Sequence, residues 1–247
     1  MKNIATLLFF CFSALASAQN IDVEQILIVN HPTIADPSPE KFRAIVGGLG
    51  KWARERPGIS AAYFEADRGK EKGKYLVATF IKDMTVRSML PTGSPFSPST
   101  IGNNRYTEYR LIGADKFGKM PGAGILGFHY IKVLPERAAE FEKFVIDKLH
   151  PAVGHLFPDM QMLYYKGVAG DGVNTYVTIW TIESEAARDK YWPAGKPETA
   201  ALIAGYKPLG ELAKTLETFL VPDSYLKPGN GAAAIFESVE WTDYVIR

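Results

Sequence analysis

Two kinds of apolar run alternate along the chain. Residues 23–29 and 125–133 are short stretches dense in branched and aromatic side chains, the signature of strands. Each is followed by apolar residues at helical spacing: Phe42, Ile45, Val46, Leu49 and Trp52 in the first case, Phe141, Phe144, Val145, Leu149 and Val153 in the second. Ser38 stands as an N-cap with Pro39 at the first helical position, and Pro57-Gly58 and Pro158-Asp159 stop the two helices. Gly47-Gly48, inside the first helix, predicts close packing against a sheet at some cost in helix propensity. Two strands come next in each case, 60–65 with 74–81 and 160–166 with 175–182. The segments joining them, 67–73 and 169–174, have the Gly, Asp and Asn content of hairpin loops.

Asp83 and Ser184 then fall where a second helix needs its N-cap, with Arg87 and Arg188 one turn inside. A last strand completes each half, around 105–112 and around 234–246. In the second half an additional helix over 208–220 aligns Leu209, Leu212, Leu216 and Phe219 on one face. The order is β-α-β-β-α-β twice, and each copy is a ferredoxin-like unit. The copies also match in sequence at one offset: shifting by 101 places Pro57 on Pro158, Tyr63 on Tyr164, Tyr75 on Tyr176, Asp83 on Ser184 and Arg87 on Arg188. The chain therefore reads as a tandem duplication, with one repeat at 19–112, a Gly-rich linker at 113–124 and the other repeat at 125–247.

Composition places these halves outside the cytoplasm. The first eighteen residues carry Lys2, an apolar run over 4–16 and the small-residue ending Ala16-Ser17-Ala18, a secretory signal with cleavage expected after Ala18. The run is too short to span a bilayer, and a periplasmic or secreted destination follows. Cys11, the one cysteine, lies inside the signal, so stability has to come from burial and not from disulfides. Without Lys2, the 28 basic residues fall to 27 against 27 acidic ones, which supplies no electrostatic attraction for nucleic acid or an anionic membrane.

A βαββαβ unit covers one sheet face with its own helices and leaves the other apolar face to a partner. Two units in one chain supply that partner to each other. This element order resembles the dimeric α/β-barrel superfamily, which includes the antibiotic-biosynthesis-monooxygenase-like and NIPSNAP-like proteins, here as a fused pseudo-dimer. The resemblance implies an α+β fold of two ferredoxin-like units packed sheet to sheet, a monomer by default, and a pocket between the sheet and the second helix. Members include cofactor-free oxygenases acting on phenolic polycycles, haem-degrading enzymes, isomerases, cyclases and haem peroxidases, and fold alone does not choose among them.

The residues narrow the choice. Strand alternation along 175–181 assigns Val177 and Ile179 to the helix-facing side and Tyr176, Thr178 and Trp180 to the other, where they join Tyr164 as candidate substrate-binding residues. The alternative is that these rings simply fill the barrel. Arg188, Tyr191 and Trp192 share the second helix of the second half; a guanidinium beside rings can hold a carboxylate, a phenolate or reduced oxygen. Arg87 repeats the arginine without the Tyr-Trp pair, which argues for a structural Arg188 bonded to strand carbonyls and leaves Tyr191 and Trp192 as the residues particular to this half. His129, in the apolar strand 126–131, is a candidate general base or haem ligand, against the commoner role of a hydrogen-bonded core histidine. His155 near a helix end reads as a cap, and no His pair has the i, i+4 spacing of a helical metal site. With no Gly-x-Ser-x-Gly elbow and no dinucleotide fingerprint, the expected function is an exported small-molecule enzyme acting on an aromatic or apolar substrate, as a cofactor-free oxygenase, isomerase or cyclase. His129, Arg188 and Tyr191 would be its catalytic groups. No organic cofactor and no metal is expected, haem being the one open candidate. The second reading is a periplasmic binding protein for haem or another hydrophobic ligand, without catalysis.

Overall fold

The computed structural model describes residues 25–32, 39–90, 105–114, 124–153, 160–191, 193, 209–221 and 241–246. The expected signal, Trp192, His155 and most of the expected linker lie outside them. The first half comprises β1 (Ile26–His31), α1 (Pro39–Arg54), β2 (Ile59–Gly69), β3 (Tyr75–Ile81), α2 (Met84–Ser88) and β4 (Arg105–Ala114). In the second half β5 (Ile125–Ile131) leads into a broken helical stretch: a 3-10 turn (Pro135–Arg137), α3 (Ala138–Phe144), a π-helical turn (Val145–Leu149) and α4 (His150–Val153). Then follow β6 (Met160–Gly170), β7 (Tyr176–Ile182), α5 (Glu185–Asp189), α6 (Gly210–Glu217) and β8 (Trp241–Ile246).

The eight strands close into an antiparallel barrel in the order β1-β3-β2-β8-β5-β7-β6-β4. Within that ring each half contributes four neighbouring strands in the ferredoxin-like order fourth, first, third, second. The joints are β2–β8 and β4–β6, so each half completes the open edges of the other. The expected fold is the one observed, with the two sheets facing across the barrel interior.

Local chemistry accounts for the matching pieces. Asp83 and Ser184 cap α2 and α5, accepting from Val86 N–H at 2.8 Å and Ala187 N–H at 3.2 Å. The hairpins β2–β3 and β6–β7 are built by the same four backbone bonds. Gly73 donates to Ala66 as Asn174 does to Gly167, and the other three bonds recur at the same spacing. The left-handed positions recur too: Gly69 and Gly170 at φ 89° and 80°, Gly73 and Asn174 at φ 82° and 62°. No helix among the described residues is long and apolar enough to cross a membrane.

Two large apolar layers make up most of the core, with smaller clusters in the first half at Ile26, Ile28 and Ile81 and at Leu49, Tyr63 and Val77. The barrel interior is filled from both halves by strand residues such as Leu27, Phe64, Leu76, Phe128, Leu163 and Ile179. The other layer lies between the second half's sheet and its helices, where Phe141, Leu149 and Phe219 pack on Met162, Tyr164, Tyr176 and Trp180. This reverses the expected faces of β7. Val177 and Ile179 point into the barrel, and Tyr176 and Trp180 point at the helices. The physical reason is that all seven residues of β7 are buried. Alternation then separates two faces without saying which one the helices cover. A second correction concerns Gly47 and Gly48, which are exposed and would have nothing within 4 Å of a Cβ, so they provide no close approach to the sheet.

Candidate functional site

The second half's helix-facing layer contains a transverse polar row. Strand register places Gly113 of β4 opposite Tyr164 of β6, Tyr164 opposite Thr178 of β7, and Thr178 opposite His129 of β5. Residues paired in this way share a face, and neighbouring strands lie roughly 4.8 Å apart. The row therefore crosses four strands under the helices. Its end at Gly113 is filled from above. The π-helical turn shifts the backbone so that His150 N–H donates to Val145 O, and His150 is delivered onto the sheet. An ideal Cβ on Gly113 would stand 1.7 Å from His150 Cε1, so only glycine admits this imidazole. The ring then tilts against Tyr164, with centroids 4.7 Å apart.

At the other end His129 lies beside Trp180, ring centroids 6.4 Å apart. Burial pushes His129 down to about 3 and His150 down to about 4, so both imidazoles are neutral at neutral pH. Between them, the Thr178 hydroxyl is buried with no hydrogen-bond partner among the described residues, and the same holds for His150 Nε2. A buried polar group without a partner is costly, which makes this row chemically distinctive.

The other expected site residues have more settled surroundings. Tyr176 donates its hydroxyl to Glu142 Oε1 at 2.8 Å, an oxygen that also takes Lys166 at 2.7 Å, and its ring meets Phe141 edge-on. Tyr191 is buried in the same apolar layer, with Lys190 Nζ 5.2 Å from its ring centroid. Arg188 is fully buried, and carboxylates meet it where strand carbonyls were expected. Its Nη1 lies 3.0 and 2.9 Å from the two oxygens of Asp67, and its Nε lies 3.3 Å from Asp189. Arg68 joins the same Asp189 oxygen at 2.9 Å. Asp67 reaches across because β2 is bulged there, its pairing passing from Ala66↔Tyr244 to Arg68↔Asp243. The first half's Arg87 is paired in its own half, to Glu108.

Neither imidazole, as packed among the described residues, offers a free side to a haem iron. The Nδ1–Cε1–Nε2 edge of His150 is turned onto the backbone of β4, and His129 is 1% exposed. No group of three or more His, Cys, Asp or Glu suited to a metal ion occurs among the described residues.

A second feature lay beyond the sequence reading. A cavity of about 190 Å³ opens at the barrel end where both hairpins leave, with His31, Glu71, Arg105, Tyr109 and Tyr130 among its lining. The signal that could have found it is that β4 places Thr107, Tyr109 and Leu111 on one face, the face that a closed barrel turns inward.

No protein-family model and no curated protein sequence matches the chain. Solved structures do. An anthrone oxidase-like protein superposes with a TM-score of 0.53 at 15% identity, over 92% of this chain and 93% of that one. A provisionally assigned monooxygenase from Lactobacillus acidophilus NCFM gives 0.51 at 12% identity, over 75% and 87%. Another from Fusobacterium nucleatum gives 0.52 at 12% identity, over 91% and 92%. These likenesses show a shared fold, that of the dimeric α/β barrels.

Proposed function

We propose that this chain is an exported, monomeric small-molecule enzyme that takes a proton from an aromatic or otherwise apolar substrate held between the second half's sheet and its helices. The observation that supports this reading is the row Tyr164, Thr178 and His129, two neighbouring faces of which are closed by Trp180 and His150. A neutral imidazole in so dry a layer accepts a proton when the substrate anion stays beside it, because the resulting ion pair is strong at low dielectric. His129 is then the base. Thr178, its hydroxyl uncommitted among the described residues, donates to oxygen charge developing on the substrate. Trp180 and Tyr164 supply the apolar walls. Arg188 is assigned a positioning role, since Asp67 and Asp189 already meet its charge; it fixes α5 against β2.

Proton removal is the step shared by cofactor-free oxygenation, isomerisation and cyclisation. Oxygenation is the favoured branch, because the fold is shared with an anthrone oxidase-like protein and with provisionally assigned monooxygenases. Substrate entry requires the layer above the row to part. That layer is built of short pieces of three, seven, five and four residues. The duplication, the signal at 1–18 and the monomeric state belong to the same reading. Their support is the common offset, the apolar leader and a barrel whose edges are all paired.

The test is oxygen uptake by the purified protein with tricyclic phenols of the anthrone type, comparing His129→Gln with the parent. Loss of a general base lowers the rate by roughly 10²–10⁴-fold, with the urea midpoint little changed. Equal uptake by both proteins removes His129 from the chemistry. Saturable binding without uptake, in either protein, favours the reading as a binding protein for apolar ligands. A Soret band that forms with haemin and depends on His129 favours haem.

A further inference from the structure

The barrel mouth holds a cavity separate from the row under the helices. Its inner wall is made of Tyr109, Tyr130 and the hydroxyls of Thr107, Thr175 and Thr242. Thr107, Thr175 and Tyr130 line the same cavity as Tyr109. The apolar filling of the barrel lies beneath. The wall is preformed, because the β6–β7 hairpin is clamped to the start of β4. Tyr106 N–H donates to Asp171 Oδ2 at 2.9 Å, and Asp171 N–H returns to Tyr106 O at 2.8 Å. A Cβ on Gly172 would stand 2.6 Å from Thr107 Cγ2, so the approach depends on that glycine. At about 190 Å³ the space is below the ~300–1,000 Å³ of drug-sized sites and suits a small molecule.

The charges at the rim differ in what they have left to offer. Glu71 is buried, and its carboxylate meets Lys74 at 2.6 Å and Arg105 at 3.5 Å. Asp171 is engaged by the Tyr106 backbone. Arg105 is different: its side chain is 58% exposed, and among the described residues its one ion pair is that long contact to Glu71. A guanidinium carries five N–H donors in a planar fork that matches a carboxylate. We propose that the barrel mouth binds a small aromatic carboxylate, with the carboxylate forked onto Arg105 and the ring against Tyr109 and Tyr130. Lys70, also on the rim, adds to the positive side. The threonine hydroxyls favour a ring that itself carries a hydroxyl.

Isothermal titration of the full-length protein with 4-hydroxybenzoate and with its neutral analogue 4-hydroxybenzamide tests this. The acid is expected to bind, the amide roughly tenfold more weakly or worse, as loss of a charge-assisted bidentate contact implies. Arg105→Gln, an exposed position that leaves folding intact, is expected to bring the acid down to the amide's affinity and leave the amide unchanged. Lys143→Gln, which removes an exposed cation on α3, is expected to change neither. No heat with the acid, or equal affinity of the acid for the parent and Arg105→Gln, overturns the proposal. Turnover at His129 does not enter either measurement.

Discussion

His129 and His150 are neutral because of where they are: burial is the cause of each shift. The sign follows. Both folded-state values lie below the ordinary value of 6.5, so between about 6.5 and 4 the unfolded chain binds more protons, and folding loses stability as pH falls through that window. At pH 5 the loss is about 2 kcal/mol for each of the two. His31, pushed down to about 4 first by burial and then by Arg105, acts in the same direction. Glu71 and Glu142, which burial alone would raise but whose hydrogen-bond and ion-pair partners hold below the ordinary carboxylate value, begin to matter only at the low end of that window, as pH falls to about 4.5. Urea midpoints at pH 7.5 and 5 should therefore differ, and His150→Gln should narrow the difference by its own share; midpoints that do not move with pH would mean that these imidazoles are hydrated. At this scale the sequence was half legible. His129 stood out as a lone imidazole in an apolar strand. His150 did not, because its placement depends on a π-helical turn and on Gly113, which is distant in sequence on β4, and neither has a periodic signal.

At the scale of elements, the devices set by adjacent residues were readable and those set by distant ones were not. The caps Asp83 and Ser184 and the hairpin glycines lie within a few residues of the bonds they make. The bulge at Asp67 depends on β8, and the faces of β7 depend on which side the helices cover. That bulge carries the contact between α5 of the second half and β2 of the first. Asp67→Asn leaves a guanidinium with no exposed surface beside a neutral amide, and Asp189 compensates only in part. The expected cost is about 2–3 kcal/mol in urea unfolding, somewhat under the range for breaking a fully buried pair because the Asp67 side chain is 23% exposed. Adding Arg188→Met to Asp67→Asn should recover part of it, since removing both charges removes the desolvation penalty. A cost within 0.5 kcal/mol, in the range of ordinary surface substitutions, would show that Asp67 is not the main counter-charge of Arg188.

For the whole molecule, the succession of apolar runs was enough to read a βαββαβ order twice, but not how the two halves join. The joints determine cooperativity. Seven residues of β4 pair with β6 across the halves, against five pairs between β1 and β3 within one. The barrel interior is a single cluster drawn from both halves. Unfolding one half alone would strip β2 and β4, or β6 and β8, of a partner strand and expose an interior face that nothing else covers. The halves should therefore unfold together, although each has a complete ferredoxin-like order of its own. Trp52 on α1 and Trp180 on β7 offer a probe in each half. With the other tryptophans replaced by Phe, urea transitions followed by Trp52 and by Trp180 should coincide in midpoint and slope. Two separated transitions would show instead that the strand joints between the halves are weak, and that each half is stabilised by its own sheet and helices.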